Sequence, residues 1–371
     1  MSKIFLVGDI HLGLGWPNSH NKWSKVHQQY FSDFLYPLLD KNLEGGDVIV
    51  LLGDFFDNRD LIPIDTLHYG MSVIERLSQY APVHLLVGNH DLWTRSHSEI
   101  NSVMPFRWMP DVHVYSSTTR VEILGKSCVM MPYIHDKREQ IKSINEIGSG
   151  DYLFCHSDLN GCKMHLTSSA HRNPDKIDLE EFQKFGKVRS GHIHIRQEMG
   201  IFKFVGSIFQ MDRADMGDQK GIWVIDTRDD TETFFPNNVS PQFQKVTVLT
   251  HEDVESLSQL NTQGNFIDLL ISNKLLLEDR KIRRKLEVIL EKSNFLSVSH
   301  INDVLESKKT TSNSNDTEEV SEERSIDLEL EFTDIIRDWI EQQNWQSNKI
   351  KGGILEEFET ISRIYQENYK G

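Results

Sequence analysis

Cysteine is scarce in this chain of 371 residues, which holds only Cys128, Cys155 and Cys162. They are odd in number and form no C-x-x-C pair. That argues against a disulfide scaffold or a thiolate zinc site, and for reduced thiols in a cytoplasmic setting (host cytoplasm if the chain is viral). No apolar stretch approaches the roughly 20 residues of a membrane helix, so no membrane partner is expected. A strand-like run starts at Ile4, which leaves no room for a secretory leader. Positive charge is also in short supply. With 40 Lys and Arg against 56 Asp and Glu, the formal net charge is −16. This balance speaks against tight nucleic-acid binding by this chain alone. Half of the excess lies in residues 306–371, which carry 16 acidic and 8 basic side chains.

Metal-ligand chemistry, by contrast, is well represented. Asp9 and His11 follow Ile4-Phe5-Leu6-Val7, and Asp54 follows Val48-Ile49-Val50-Leu51-Leu52. Asn89 follows Val83-His84-Leu85-Leu86-Val87, and His156 follows Tyr152-Leu153-Phe154. His192 and His194 complete the set in Gly191-His192-Ile193-His194. Apolar runs this short predict strands buried on both faces, with the polar residues gathered at their carboxyl ends. Gly8, Gly53, Gly88 and Gly191 each precede a candidate ligand, where the backbone must turn sharply or approach closely. Any one of these motifs has a bland reading. Asp or Asn after a strand is a common helix cap, and a lone histidine is more often structural than a ligand. Five separate blocks in matching context favour a metal site. Carboxylate, imidazole and amide donors together suit Mn²⁺ or Fe²⁺ better than thiolate-bound Zn²⁺. A pair of such ions makes a hydrolytic site for phosphate esters.

The blocks D-x-H, G-D-x-x-D, G-N-H-D, an isolated histidine and G-H-x-H, in this order, resemble the calcineurin-like metallophosphoesterases. Within that superfamily the chain looks most like the SbcD-type DNA double-strand-break repair nucleases. The resemblance rests on Gly8-Asp9-Ile10-His11-Leu12-Gly13, on Gly53-Asp54-Phe55-Phe56-Asp57 and on Phe204-Val205-Gly206-Ser207. It implies a four-layer α/β/β/α sandwich over 1–236 and two Mn²⁺ per chain, with Mg²⁺ or Fe²⁺ as substitutes. Asp9, His11, Asp54 and His194 would hold one ion. Asp54, Asn89, His156 and His192 would hold the other. His90 would bind the scissile phosphate and protonate or stabilise the leaving oxygen. Asp57 is a lower-ranked catalytic candidate, because some members of the branch carry histidine there. The implied activity is Mn²⁺-dependent DNA exo- and endonuclease action. The implied assembly is a homodimer within a heterotetramer containing an SMC-like ABC ATPase. Another dinuclear phosphoesterase, acting on phosphoproteins or cyclic nucleotides, would use the same ligands. A non-catalytic scaffold would be expected to have lost some of them.

A turn-rich stretch, Pro236-Asn237-Asn238-Val239-Ser240-Pro241, marks a boundary. Beyond it a β-α-β-α-β pattern is expected, with strands at 243–250, 265–272 and 295–301 and helices at 252–260 and 275–292. It predicts a small α/β cap domain over 237–305. Arg280, Lys281, Arg283, Arg284 and Lys285 on its second helix either touch DNA phosphates or form a solvated face. Trp16, His20, Lys22 and Trp23, expected in a loop, either grip a nucleic-acid strand or pack. Residues 306–326 read as a flexible acidic linker. In 327–371 two amphipathic helices are expected. Phe332, Ile335, Ile336, Trp339 and Ile340 line the first, and Ile354, Phe358, Ile361 and Tyr365 the second. They either dock on the ATPase coiled coil or fold back.

Overall fold

The computed structural model describes residues 2–94, 97–170, 172–257, 264–271, 280–292 and 297–303. The described residues all belong to one compact unit, Met1–Glu306. The expected linker lies outside the described residues, as do the tail positions Phe332, Ile335, Ile336, Trp339, Ile340, Ile354, Phe358, Ile361 and Tyr365. Among the described residues no helix is long and apolar enough to cross a membrane.

The chain opens with β1 (Lys3–Val7) and α1 (His20–Gln29), followed by a π turn (Tyr30–Leu35) and α2 (Tyr36–Asn42). Pro37, near the start of α2, offers no N–H, and the wide turn before it absorbs the missing bond. Next come β2 (Val48–Leu51), α3 (Ile64–Tyr80), β3 (Val83–Leu86), and a hairpin of β4 (Leu92–Thr94) and β5 (His97–Asn101). After these run β6 (Val112–Tyr115), β7 (Thr119–Ile123), β8 (Lys126–Met131), α4 (Lys137–Ile147) and β9 (Gly150–His156). The strands β10 (Phe185–Gly191), β11 (Gln197–Met199), β12 (Phe202–Phe204), β13 (Gly221–Asp226) and β14 (Thr231–Pro236) complete two six-stranded sheets.

The first sheet has the order β14-β13-β1-β2-β3-β6 and the second β11-β12-β10-β9-β8-β7. In each, the central strands run parallel. Their near-continuous Val, Ile, Leu and Phe content is what burial on both faces requires. Ile4, Leu6, Val48 and Val50 meet Met130, Tyr152 and Phe154 between the sheets. Phe5, Val7, Ile49 and Leu51 face the other way, onto Phe31, Ile74 and Leu77 of the helical segments. Val129, Leu153 and Val188 likewise pack on Ile144 of α4 and on Phe182. The result is a four-layer α/β/β/α sandwich.

A third, parallel sheet follows. It comprises β15 (Phe243–Val248), α5 (His251–Leu257), β16 (Phe266–Ile271), α6 (Arg280–Lys292) and β17 (Ser297–Asp303). Its own small core contains Val248, Val254, Ile267, Leu269, Ile282 and Leu286. The Thr250 amide donates to Asp253 Oδ2 at 2.8 Å, and the Asp253 amide to Thr250 Oγ1 at 3.3 Å. This reciprocal pair starts α5.

One polar cluster ties the two large sheets together. Glu232 of β14 accepts from Lys203 Nζ of β12 at 2.6 Å and from Arg189 Nε of β10 at 3.1 Å. Burial opposes ionisation of Glu232, but Arg189 and Lys203 hold its carboxyl down at about 2. A depressed carboxyl stabilises the fold above its unfolded value near 4.5 and loses that contribution as pH falls toward about 2. At neutral pH, Glu232→Gln is expected to cost about 3 kcal/mol by leaving the cations without a counter-charge. The gap between the two proteins in thermal unfolding should close between pH 4.5 and 2. A gap constant across that window would exclude the ionic contribution.

Candidate metal centre

The expected ligands converge, but from two sheets rather than one. Asp9, Asp54 and Asn89 leave β1, β2 and β3 of the first sheet. His156, His192 and His194 end or follow β9 and β10 of the second. A group of His11, Asp57 and His90 borders two groups of the expected ligands, Asp9 with His11 and His194, and Asp54 with His156 and His192. The Asp54 carboxylate stands between them. Its Oδ2 is 3.2 Å from His156 Nε2 and 3.7 Å from His11 Nε2.

Hydrogen bonds away from the centre define which ring nitrogen faces inward. His156 Nδ1 lies 2.7 Å from the Leu52 carbonyl, so it donates there and Nε2 turns a lone pair inward. His192 Nε2 lies 3.0 Å from Asp158 Oδ1, which leaves Nδ1 facing Asn89 Oδ1 at 2.7 Å and His156 Nε2 at 3.3 Å. His11 Nδ1 lies 3.1 Å from Asp57 Oδ1, and its Nε2 faces His194 Nε2 at 3.2 Å. With His11 and His156 neutral, their lone pairs, an amide oxygen and carboxylates point at one another. Such a set is stable only around positive charge. Two divalent cations fit this donor chemistry.

Electrostatics show the same demand for positive charge, met here by protons on His156 and His11. Burial opposes ionisation of Asp54, yet His156 and His11 hold its carboxyl well below the usual range. Burial likewise opposes a proton on His156, but Asp54 raises it to about 10. The same contest lifts His11 to about 9, through Asp57 and Asp54.

The backbone is bent to present these groups. His11, Asp54 and His192 adopt positive φ of 51°, 49° and 77°, a conformation that costs a non-glycine residue about 1 kcal/mol or more. The His11 amide donates to the Asp54 carbonyl at 2.9 Å, which offsets part of that strain. Asp91, 1% exposed, joins two ligand loops by accepting from the amides of Phe55, Phe56 and Gly88 at 2.9–3.1 Å. Burial pushes its carboxyl up to about 7.

His90 is half-buried beside the centre. Its amide donates to Asp54 Oδ1 at 2.7 Å, and its Nδ1 lies 2.6 Å from the Asp57 carbonyl. Nε2 is therefore the nitrogen left to meet a substrate. Asp57 stands behind both histidines, with its carboxylate on His11 and its carbonyl on His90. That geometry lets Asp57 orient both rings. Asp158 is its counterpart on His192, and Lys176 pairs with Asp158. Sequence reasoning missed Asp158 and Lys176, whose partners lie far along the chain. The Tyr133 ring lies 5.5 Å from that of His192 and 6.1 Å from that of His156, and it too went unnoticed.

The nucleic-acid candidates fare differently. Residues 20–29 form α1, not a loop, and Trp23 is only 7% exposed. It packs against Phe209 and Phe266, so its ring has no face for a base. His20 is also buried and bonded to Asp65 at 2.8 Å. Lys22 is half-buried on the same helix. On α6, Lys281, Arg284 and Lys285 are exposed, and Lys285 pairs with Glu255 of α5. The side chains of Arg280 and Arg283 lie outside the described residues.

Close approach at the glycines yields a test. A Cβ on Gly88 would lie 2.2 Å from the amide nitrogen and Oδ1 of Asp54. Gly88→Ala is expected to destabilise the fold by about 3 kcal/mol, the upper end of overpacking costs. Unfolding midpoints equal to wild type would mean that the Asp54 loop yields without strain.

Comparison with known proteins agrees with this geometry. The calcineurin-like phosphoesterase family model matches residues 2–196. Exonuclease subunit 1 of Enterobacteria phage T4 is 25% identical over 244 residues, covering 64% of this chain and 68% of the phage protein. Putative phosphoesterase 078R of Invertebrate iridescent virus 3 is 28% identical over 206 residues, covering 53% of this chain and about half, 54%, of the viral protein. A solved archaeal phosphodiesterase aligns over 63% of this chain and 99% of its own, at 12% identity and a TM-score of 0.32. The family match spans more than half of the sequence and every block of the centre. The chain belongs to the calcineurin-like phosphoesterase family.

Proposed function

We propose that the chain is a Mn²⁺-dependent DNA nuclease that cleaves phosphodiesters at the Asp54-centred site. We also infer that it is one subunit of an ATPase-coupled double-strand-break repair and recombination complex. The observation that carries the catalytic reading is the Asp54 carboxylate shared by two convergent donor groups, with His90 half-exposed beside it. The choice of nucleic acid as substrate rests on the phage relative, which is an exonuclease subunit. Its being a subunit also motivates a partner.

In this reading Asp9, His11, Asp54 and His194 hold one cation, and Asp54, Asn89, His156 and His192 the other. Two such ions supply the positive charge that activates water and neutralises phosphoryl oxygens. Asp57 and Asp158 keep His11 and His192 in the right tautomer. His90, anchored through Nδ1, offers Nε2 to the scissile phosphate and the leaving oxygen. No Ser or Cys nucleophile is needed, so water attacks directly and no covalent intermediate forms. The C-terminal three-stranded module serves as the cap, and the exposed face of α6 that carries Arg284 meets DNA phosphates. Residues 327–371 bind the SMC-like ATPase, and the nuclease acts as a homodimer within that complex.

End-labelled duplex and single-stranded DNA are expected to be degraded by the purified chain with Mn²⁺ and not with EDTA. His90→Ala should lose about 10²-fold or more in turnover while binding Mn²⁺ as wild type does. Hydrolysis of a phosphopeptide or cyclic nucleotide, with DNA left intact, would favour the other dinuclear phosphoesterases. Removing residues 327–371 should leave hydrolysis of a small phosphodiester unchanged and abolish co-purification with the ATPase. A truncated chain that still forms the complex would disprove the tail assignment.

A further inference from the structure

The buried histidine His27 takes no part in the site described above. It is 1% exposed, in the last turn of α1. Its Nδ1 lies 2.8 Å from the Trp23 carbonyl, one turn back, and its Nε2 lies 2.8 Å from the Ile10 carbonyl. Ile10 is the residue between Asp9 and His11. The Ile10 amide in turn donates to the Asp54 carbonyl at 3.1 Å. The peptides around Ile10 are therefore held from both sides, by Asp54 through the amide and by His27 through the carbonyl. A neutral imidazole donates from only one nitrogen. Placing that proton on Nε2 gives the Ile10 carbonyl its donor, whereas the Trp23 carbonyl belongs to the same helix as His27.

The other end of this link reaches the C-terminal sheet. Phe243 of β15 and Phe266 of β16 stack at 4.6 Å, and Trp23 lies 4.9 Å from Phe266. All three belong to the same buried cluster as the helical layer of the sandwich. Phe209 lies on the same path. Its ring stacks on Trp23 at 5.9 Å and meets His27 edge-on at 4.9 Å. The neighbouring Ile208 amide donates to the Asp9 carbonyl at 3.3 Å. The side chain of Gln210, next in sequence, accepts from the Phe243 amide at 2.7 Å.

We propose that His27 is a positioning residue for the Asp9–His11 segment, and that Trp23 and Phe266 make it answer to the placement of the three-stranded module. The module seats on Trp23, Trp23 fixes α1, and His27 holds the carbonyl between two ligands at the strained turn of His11. Displacement of the module thus loosens one half of the centre and leaves the Asn89, His156 and His192 half in place. The inference rests on the two-cation reading of the site.

The test uses the full chain and reads metal binding, not turnover. Mn²⁺ stoichiometry and affinity are measured by titration calorimetry, and the coupling of the two ions by electron paramagnetic resonance. Unfolding midpoints are taken on the same samples. His27→Phe keeps a ring against Phe209 but offers no donor. It is expected to weaken one of two Mn²⁺ sites by about 10- to 100-fold, the usual cost of removing a group that orients a ligand, and to lose the spin-coupled signal. His27→Gln, whose amide can still donate to the Ile10 carbonyl, should restore both. Phe266→Leu, in the module itself, should weaken the same site by about 2- to 30-fold, in the range of measured long-range couplings. Wild-type binding in His27→Phe overturns the positioning role. Wild-type binding in Phe266→Leu, with a defect in His27→Phe, overturns the link to the module. A wild-type chain that binds no divalent ion overturns the two-cation reading, and this inference falls with it.

Discussion

Everything at this site depends on one electrostatic constraint, the burial of acceptor atoms that need positive charge among them. His156 Nε2, His192 Nδ1 and Asn89 Oδ1 lie within 3.3 Å of one another. Asp54 Oδ2 adds a negative charge at 3.2 Å. Brought together in a low-dielectric interior, such atoms repel and have lost their water. They stay together because their other polar atoms are engaged elsewhere, by the Leu52 carbonyl, Asp158 and the amide of His90. The positive φ of His11, Asp54 and His192 belongs to the same economy of strain. Strain clustered at three residues of one constellation is better explained by the job of presenting side chains than by chance.

Much of this was legible in the sequence, for identifiable reasons. Short runs such as Val48-Ile49-Val50-Leu51 signal buried parallel strands, and the polar residue after each run is where an α/β site forms. The β-α-β-α-β module could be read from alternating periods, with Thr250 or His251 as the cap of its first helix. Asp158 and Lys176 could not be read in the same way. The His192–Asp158 contact spans 34 residues and crosses between loops, and no local pattern encodes it. Helix α1 is a different kind of miss. Trp23, Val26, His27, Tyr30 and Phe31 recur at helical spacing, and all are buried. That signal was present but was outweighed by the polar residues around it and by proximity to the first metal motif.

The acidic balance of the chain becomes easier to understand once the cations are located. Arg189 and Lys203 are committed to Glu232, Lys220 to Asp215 and Asp218, and Lys176 to Asp158. These cations serve the architecture and contribute little field toward a polyanion. In the proposed function, attraction for DNA is local. It would come from cations in the centre and from the exposed face of α6, since net charge governs steering, not the chemistry of a site.

Because the candidate ligands come from two sheets, the packing between the sheets and the geometry of the centre are a single constraint. Face-to-face sheets sit about 10 Å apart, a spacing set by the side chains between them. Here those are Leu6, Val50, Leu52, Met130, Phe154 and Val205, all buried. Asp9 and Asp54 ride on one side of that layer, and His156 and His192 on the other. Asp9 accepts from the His192 amide at 3.0 Å, directly across the gap. A change of one methylene in this layer is felt at the donor atoms, because a close-packed interior transmits small displacements instead of absorbing them. The Glu232 cluster holds the β14 side of the first sheet to β10 and β12 of the second. The hydrophobic core of this protein is therefore also the part that sets the separation of its two donor groups.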